Sequence, residues 1–121
     1  MRKKLLIVKK FGGTSLATID KIKKAANIVK KEVSLGNKVI VIVSAIGKTT
    51  DKLQSLINKI SLNNDEKEID SILSSGEQAS SGLMALALKN IKINARSFLG
   101  WQIPIFTNTS YGLSLIHISE P

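Results

Sequence analysis

The sequence predicts an α/β protein with a mainly parallel sheet, and three observations carry that expectation. Short β-branched runs alternate with stretches whose apolar residues recur every three or four positions. The resulting order of strand, glycine turn, helix, strand, helix, helix and strand is that of βαβ units. The glycine- and hydroxyl-bearing segments 10–15 and 44–50 both fall at carboxyl ends of strands, where open parallel sheets bind their ligands.

Taken in order, Leu5, Leu6, Ile7 and Val8 form a continuous apolar run, followed by Lys9, Lys10, Phe11 and the pair Gly12-Gly13. That predicts a buried strand ending in a glycine turn. Ile19, Ile22, Ala26, Val29 and Val33 place one apolar stripe along a helix, with Gly36-Asn37 as its stop. Val39 through Val43 are all β-branched, which predicts a central strand covered on both faces. It ends at Ser44-Ala45, and Gly47 follows in the next loop. Thr50-Asp51 is suited to cap a helix with apolar positions Leu53, Leu56, Ile57 and Ile60. Residues 61–68 read as a polar loop. Ile69, Ile72 and Leu73 then begin a short helix, and Gly76-Glu77 precede a separate Ala/Leu-rich helix through Leu88, with Asn90 near its stop. Ile93 and Ala95 alternate with polar residues as in a strand, and 103–106 is a further strand candidate. No internal repeat or low-complexity tract is present.

A chain of 121 residues suffices for one modest domain and not for two. Its 43% hydrophobic and 22% charged residues argue against wholesale disorder. Cysteine is absent, which excludes disulfides, cysteine nucleophiles, thiolate metal sites and iron–sulfur clusters. The single histidine, His117, argues against a histidine metal centre or a Ser-His-Asp triad. No apolar run reaches the roughly 18 residues of a membrane span, and the basic start at Arg2 lacks a signal-peptide apolar region. A cytoplasmic location is expected. Residues 1–59 carry 14 basic and 3 acidic side chains, against 4 and 6 in residues 60–121. A basic half can face nucleic acid, lipid or polyphosphate. Here Lys21, Lys23, Lys24, Lys30 and Lys31 fall on the polar face of the first helix, and no aromatic residues interleave with them as base stacking requires.

Lys10 through Ser15 place a cation, two glycines and two hydroxyls between strand and helix. Glycine lets backbone N–H groups approach an anion closely, and a helix start adds its positive dipole end. The spacing matches neither common phosphate-loop pattern, and a plain turn with a solvated lysine explains it equally well. Segment 44–51 repeats the theme, with hydroxyls that could bind a polar substrate or cap the next helix. Ser75-Gly76-Glu77-Gln78 is read as a helix start, where an exposed Glu would merely favour the dipole or else face a substrate ammonium group. Trp101, within Gly100-Trp101-Gln102, fits core packing or a loop anchor.

Together the segments Lys-Phe-Gly-Gly-Thr-Ser at 10–15, Val-Ser-Ala-Ile-Gly-Lys-Thr-Thr-Asp at 43–51, Ser-Gly-Glu-Gln at 75–78 and Gly-Trp-Gln at 100–102 resemble the aspartate kinases of the amino-acid kinase family. They stand in that family's order over roughly residues 4–112. The resemblance implies the N-terminal part of a three-layer αβα fold, and Mg-ATP-dependent phosphorylation of the L-aspartate side-chain carboxylate to 4-phospho-L-aspartate, the start of lysine, threonine and methionine synthesis. It implies Lys10 as the catalytic cation on the ATP phosphates, and Lys10, Phe11, Gly12 and Gly13 as the nucleotide site. Ser44, Thr50 and Glu77 would hold aspartate, with Glu77 facing its ammonium group. Mg2+ would arrive with ATP rather than on protein ligands. The intact enzyme is expected to be oligomeric, with no nucleic-acid or membrane partner. Two other readings stand beside this one: another amino-acid kinase with a different acceptor, and a small basic protein that binds nucleotides or nucleic acid.

The family pattern breaks after Gly112. Residues 113–121 resemble translated non-native sequence such as adapter read-through, so residues 1–112 are expected to be the N-terminal portion of a kinase domain and 113–121 a foreign tail. The family's later aspartate- and adenine-binding segments and its regulatory domains lie beyond this chain. These 121 residues alone are therefore expected to lack kinase activity.

Overall fold

A computed structural model describes residues 3–60, 65–99, Gln102 and the backbone of 114–118. Strand β1 (Leu6–Phe11) runs into a short 3-10 helix at Thr14–Leu16 and then helix α1 (Ile19–Ser34). Strand β2 (Lys38–Val43), helices α2 (Thr49–Ile60) and α3 (Glu66–Asn90) and strand β3 (Ala95–Phe98) follow. Strand β4 (Ser114–Ile118) completes a four-stranded sheet in the order β1-β2-β4-β3. β1 and β2 are parallel, with Val8 opposite Ile40 and Phe11 opposite Val43. β4 is antiparallel to both β2 and β3.

One core holds these elements together. Val39, Val41 and Val43 of β2 pack against Ile22, Ala25, Ala26 and Val29 of α1 and Met84 and Leu88 of α3. Each of the Val, Ile, Leu and Met side chains removed from water stabilises the fold by roughly 1.5–3 kcal/mol. Thr18 starts α1 by accepting from the Lys21 N–H at 3.2 Å, and Asp65 does the same for Glu68 in α3 at 3.3 Å. Gly36, at φ +88°, supplies the left-handed residue that lets the chain leave α1. Asn37 is buried beside it, accepting from the Leu5 N–H at 3.1 Å and donating to Glu32 Oε2 at 2.9 Å.

The sheet departs from expectation at its edge. Leu6 and Val8 are 64% and 56% exposed rather than buried, because among the described residues α1 and α3 cover one face only and β1 has a neighbour on one side. Ile40 and Ile42, beside them on the same face, are half-buried, so β2 is central but not sealed on both faces. Ile19, expected in the α1 stripe, is 60% exposed. The α2 stripe also faces mostly outward, with Ile57 buried, Leu56 exposed and Ile60 at 85%. α2 begins at Thr49, so Thr50 and Asp51 lie in its first turn instead of capping it. The largest difference is α3. The two expected helices are one helix of 25 residues, and Gly76 and Glu77 sit in its middle. The strand candidate at 103–106, with Gly100 and Trp101, lies outside the described residues. No helix among the described residues is long and apolar enough to cross a membrane.

Candidate functional site

The site forms where β1 and β2 end. Two loops leave the parallel strands side by side, and Ser44 N–H still donates to Phe11 O at 3.2 Å as a last rung of the ladder. Beyond it, Gly13 O accepts from Gly47 N–H at 3.2 Å, which ties the first loop to the second. Gly13 has to be small: a Cβ there would lie 3.2 Å from Ala45 O and 3.4 Å from Gly47 O. Gly47 adopts φ +49°, a left-handed turn that brings the chain back toward α2. Gly12, by contrast, has no atom within 4 Å of a Cβ position, so its backbone stands open to a bulky anion. Leu16, 1% exposed, pins the 3-10 helix behind this loop, and Lys21 Nζ donates to Thr14 O at 3.3 Å.

Lys10 is exposed. It alternates with the buried Phe11, so it points to the bare face of the sheet, beside Val8 and opposite Ile42 on β2. The Phe11 side chain belongs to the core, which leaves its backbone for any nucleotide contact. Phe11 also borders a depression of about 320 Å³ together with Thr14, Ser15, Lys21, Lys24 and Ile28. Ser44 is half-buried at the strand end and Thr50 is exposed on α2.

Glu77 reaches this junction from the covered face of the sheet. It is 7% exposed, and its Oε2 is buried without a hydrogen-bond partner. Burial pushes its carboxyl above the usual 4.5, while the backbone N–H groups of Glu77 and Ala45 pull the other way. Placement in mid-helix removes the dipole explanation that a helix start would offer, since that effect fades within the first turn. What remains is a buried acid with an unmet demand for a donor, the kind of environment that marks functional carboxylates. The structure thus brings together Gly12, Gly13, Ser44 and Glu77 around the two loops, and sets Lys10 and Thr50 at their exposed margins. Gly76 and Ala45 lie within the motifs read from the sequence, but neither was assigned a place in the site. The signal available was a glycine inside a helical pattern, which often marks close packing. Among the described residues, no group of three His, Cys, Asp or Glu side chains could hold a metal ion.

Comparison with known proteins is consistent with this geometry. The model of the amino acid kinase family matches residues 5–116. The chain is 49% identical over 114 residues to an aspartokinase of Rickettsia felis, covering 92% of this chain and 28% of that protein. It is 47% identical over 107 residues to an aspartokinase of Geobacillus stearothermophilus, covering 88% of this chain and 26% of that one. A crystal structure of aspartate kinase from Synechocystis superposes with a TM-score of 0.75 at 46% identity, covering 78% of this chain and 16% of that chain. The chain spans little more than a quarter of the length of these sequence relatives.

Proposed function

The chain belongs to the amino acid kinase family, and from that premise we propose that it forms the N-terminal part of an aspartate kinase. The reaction is transfer of a phosphoryl group from ATP to the side-chain carboxylate of L-aspartate, giving 4-phospho-L-aspartate, in the cytoplasmic synthesis of lysine, threonine and methionine. The observation that carries this reading is Glu77: a buried carboxylate with one unpartnered oxygen, held beside the second strand-end loop. An α-ammonium group is the complement such a carboxylate lacks. The names of the related aspartokinases support the choice of amino acid.

The residues present also fit a nucleotide triphosphate. Lys10 contributes a full positive charge, and the open backbone at Gly12 leaves room for phosphate oxygens. Phosphoryl transfer depends on alignment and charge neutralisation, and a carboxylate acceptor is ionised at neutral pH, so no histidine base is required. In this reading Lys10 draws the phosphates and stabilises charge on the transferring group. Gly12 and Gly13 offer backbone donors, with Phe11 contributing through its backbone. Ser44 and Thr50 orient the acceptor, and Glu77 fixes its ammonium end. ATP, when bound, supplies the phosphoryl group and brings Mg2+ with it. The intact protein is proposed to be oligomeric, with small-molecule partners only. Residues 113–121 are proposed to be a foreign tail, although the match to the family model extends over its first four residues, to 116.

The test is a pair of assays on the 121-residue chain. ATP with Mg2+ is expected to bind weakly, and Lys10→Ala to weaken that binding about tenfold or more, in line with loss of a charge-assisted contact. No ADP is expected to form with L-aspartate. ATP binding indifferent to Lys10 would overturn the nucleotide assignment, and aspartate-dependent ADP release that needs Lys10 would overturn the expectation of inactivity.

A further inference from the structure

We propose that Gly76 is a positioning residue, whose missing side chain lets α3 close on Ala45 and so holds the Glu77 carboxylate against the second strand-end loop. The inference rests on the reading of that loop and Glu77 as the aspartate half of the site.

A Cβ on Gly76 would lie 3.1 Å from the Cβ of Ala45, 3.4 Å from Thr49 Cγ2 and 3.7 Å from Leu53 Cδ1. The first distance is shorter than two methyl groups tolerate without displacement. One missing side chain therefore sets the approach of α3 to the loop and to the first turns of α2 together. Ala45 is also the residue whose backbone N–H lowers the pKa of Glu77, the next residue along α3. Ala45 is 4% exposed, so it has little freedom to yield. The helix itself gains nothing from this glycine, because alanine is the better helix former at an interior position. Gly82 shows the contrast within the same helix. Nothing lies within 4 Å of its Cβ position, so an alanine there meets no obstacle.

The test compares Gly76→Ala, Ala45→Gly, the double variant and Gly82→Ala, all in the 121-residue chain. Three quantities are followed by NMR: amide exchange at Ala45 and Val41, the carboxyl titration of Glu77, and the response to L-aspartate. Gly76→Ala is expected to speed exchange at Ala45 about tenfold with Val41 unchanged, as local opening does. It is also expected to move the Glu77 titration down toward its ordinary value as solvent returns. Adding Ala45→Gly removes the opposing methyl and is expected to restore both, a non-additive rescue that reports direct contact. Gly82→Ala is expected to leave Ala45 and Glu77 untouched. Unchanged exchange and titration in Gly76→Ala would overturn the proposal, as would a double variant no better than the sum of its parts. If Gly76→Ala instead accelerates exchange everywhere, the double variant decides: recovery supports the joint and continued loss overturns it. A chain that shows the rescue but ignores L-aspartate retains the joint and overturns the aspartate reading.

Discussion

A carboxylate buried in mid-helix raises the free energy of its own ionised form, and Glu77 makes that cost readable as a pH dependence. Its folded-state pKa lies above 4.5, so the folded chain binds more protons than the unfolded chain as pH rises from there through the raised value. The contribution of Glu77 is fully present below 4.5 and is lost across that window. Glu77→Gln is expected to stabilise the chain at pH 7 and to flatten the decline as pH rises above 4.5, measured by urea unfolding at several pH values. A flat profile in the parent chain would contradict the burial account. Lys10→Ala should instead leave stability within about 0.5 kcal/mol, as exposed substitutions generally do. At this scale the candidate residues were legible in the sequence as motifs, but not their surroundings. Ser75-Gly76-Glu77-Gln78 read as the start of a second helix because local propensity penalises glycine in a helix interior. The close approach of α3 to Ala45, a contact between residues 31 positions apart in sequence, outweighs that penalty.

Between elements, the joint that ties β1 to α1 is Asn37. Its side chain joins the Leu5 N–H to Glu32, while Lys9 meets Glu32 as a partly exposed ion pair at 3.8 Å. The two contacts have unequal worth. Asn37→Ala leaves the part-buried Leu5 N–H and Glu32 Oε2 without this partner and is expected to cost about 1–3 kcal/mol, whereas Lys9→Ala is expected to cost at most about 1 kcal/mol. Chemical denaturation of both variants measures the difference, and equal losses would contradict it. Strand β4 poses a separate question. Its backbone lies between β2 and β3, strands parallel to one another that a βαβ crossover usually places closer together. Truncation after Gly112 is expected to leave the melting temperature within a few degrees if 113–121 is foreign. A large loss would make β4 integral to the fold. The parallel pairing of β1 and β2 was readable from the alternation of element types. The edge position of β1 was not, since a continuous apolar run looks alike in a buried strand and in one bared on a single face.

At the scale of the whole fold, among the described residues, α1 and α3 cover one face of the sheet, and Leu6 and Val8 are exposed on the other. The described residues thus supply two layers of the expected three-layer αβα arrangement, and the outer face keeps an apolar patch and an unpaired edge at β1. Such a surface favours association. Leu6→Lys with Val8→Lys is expected to reduce self-association in sedimentation without lowering stability appreciably, because neither side chain is in the core. An association constant unchanged by both lysines would place the contact elsewhere. The basic excess of the N-terminal half also resolves at this scale, because the five α1 lysines named above are all solvent-exposed on one helix.

The proposed half-site for L-aspartate is formed by the two strand-end loops and Glu77. It is tested most directly by a ¹H–¹⁵N NMR titration of the 121-residue chain with L-aspartate. Saturable shifts are expected, confined to the amides of Ser44, Ala45, Thr50 and Glu77, lost in Glu77→Gln and absent with succinate, which has no ammonium group. Shifts of equal size with succinate, or a response centred away from these residues, would contradict it.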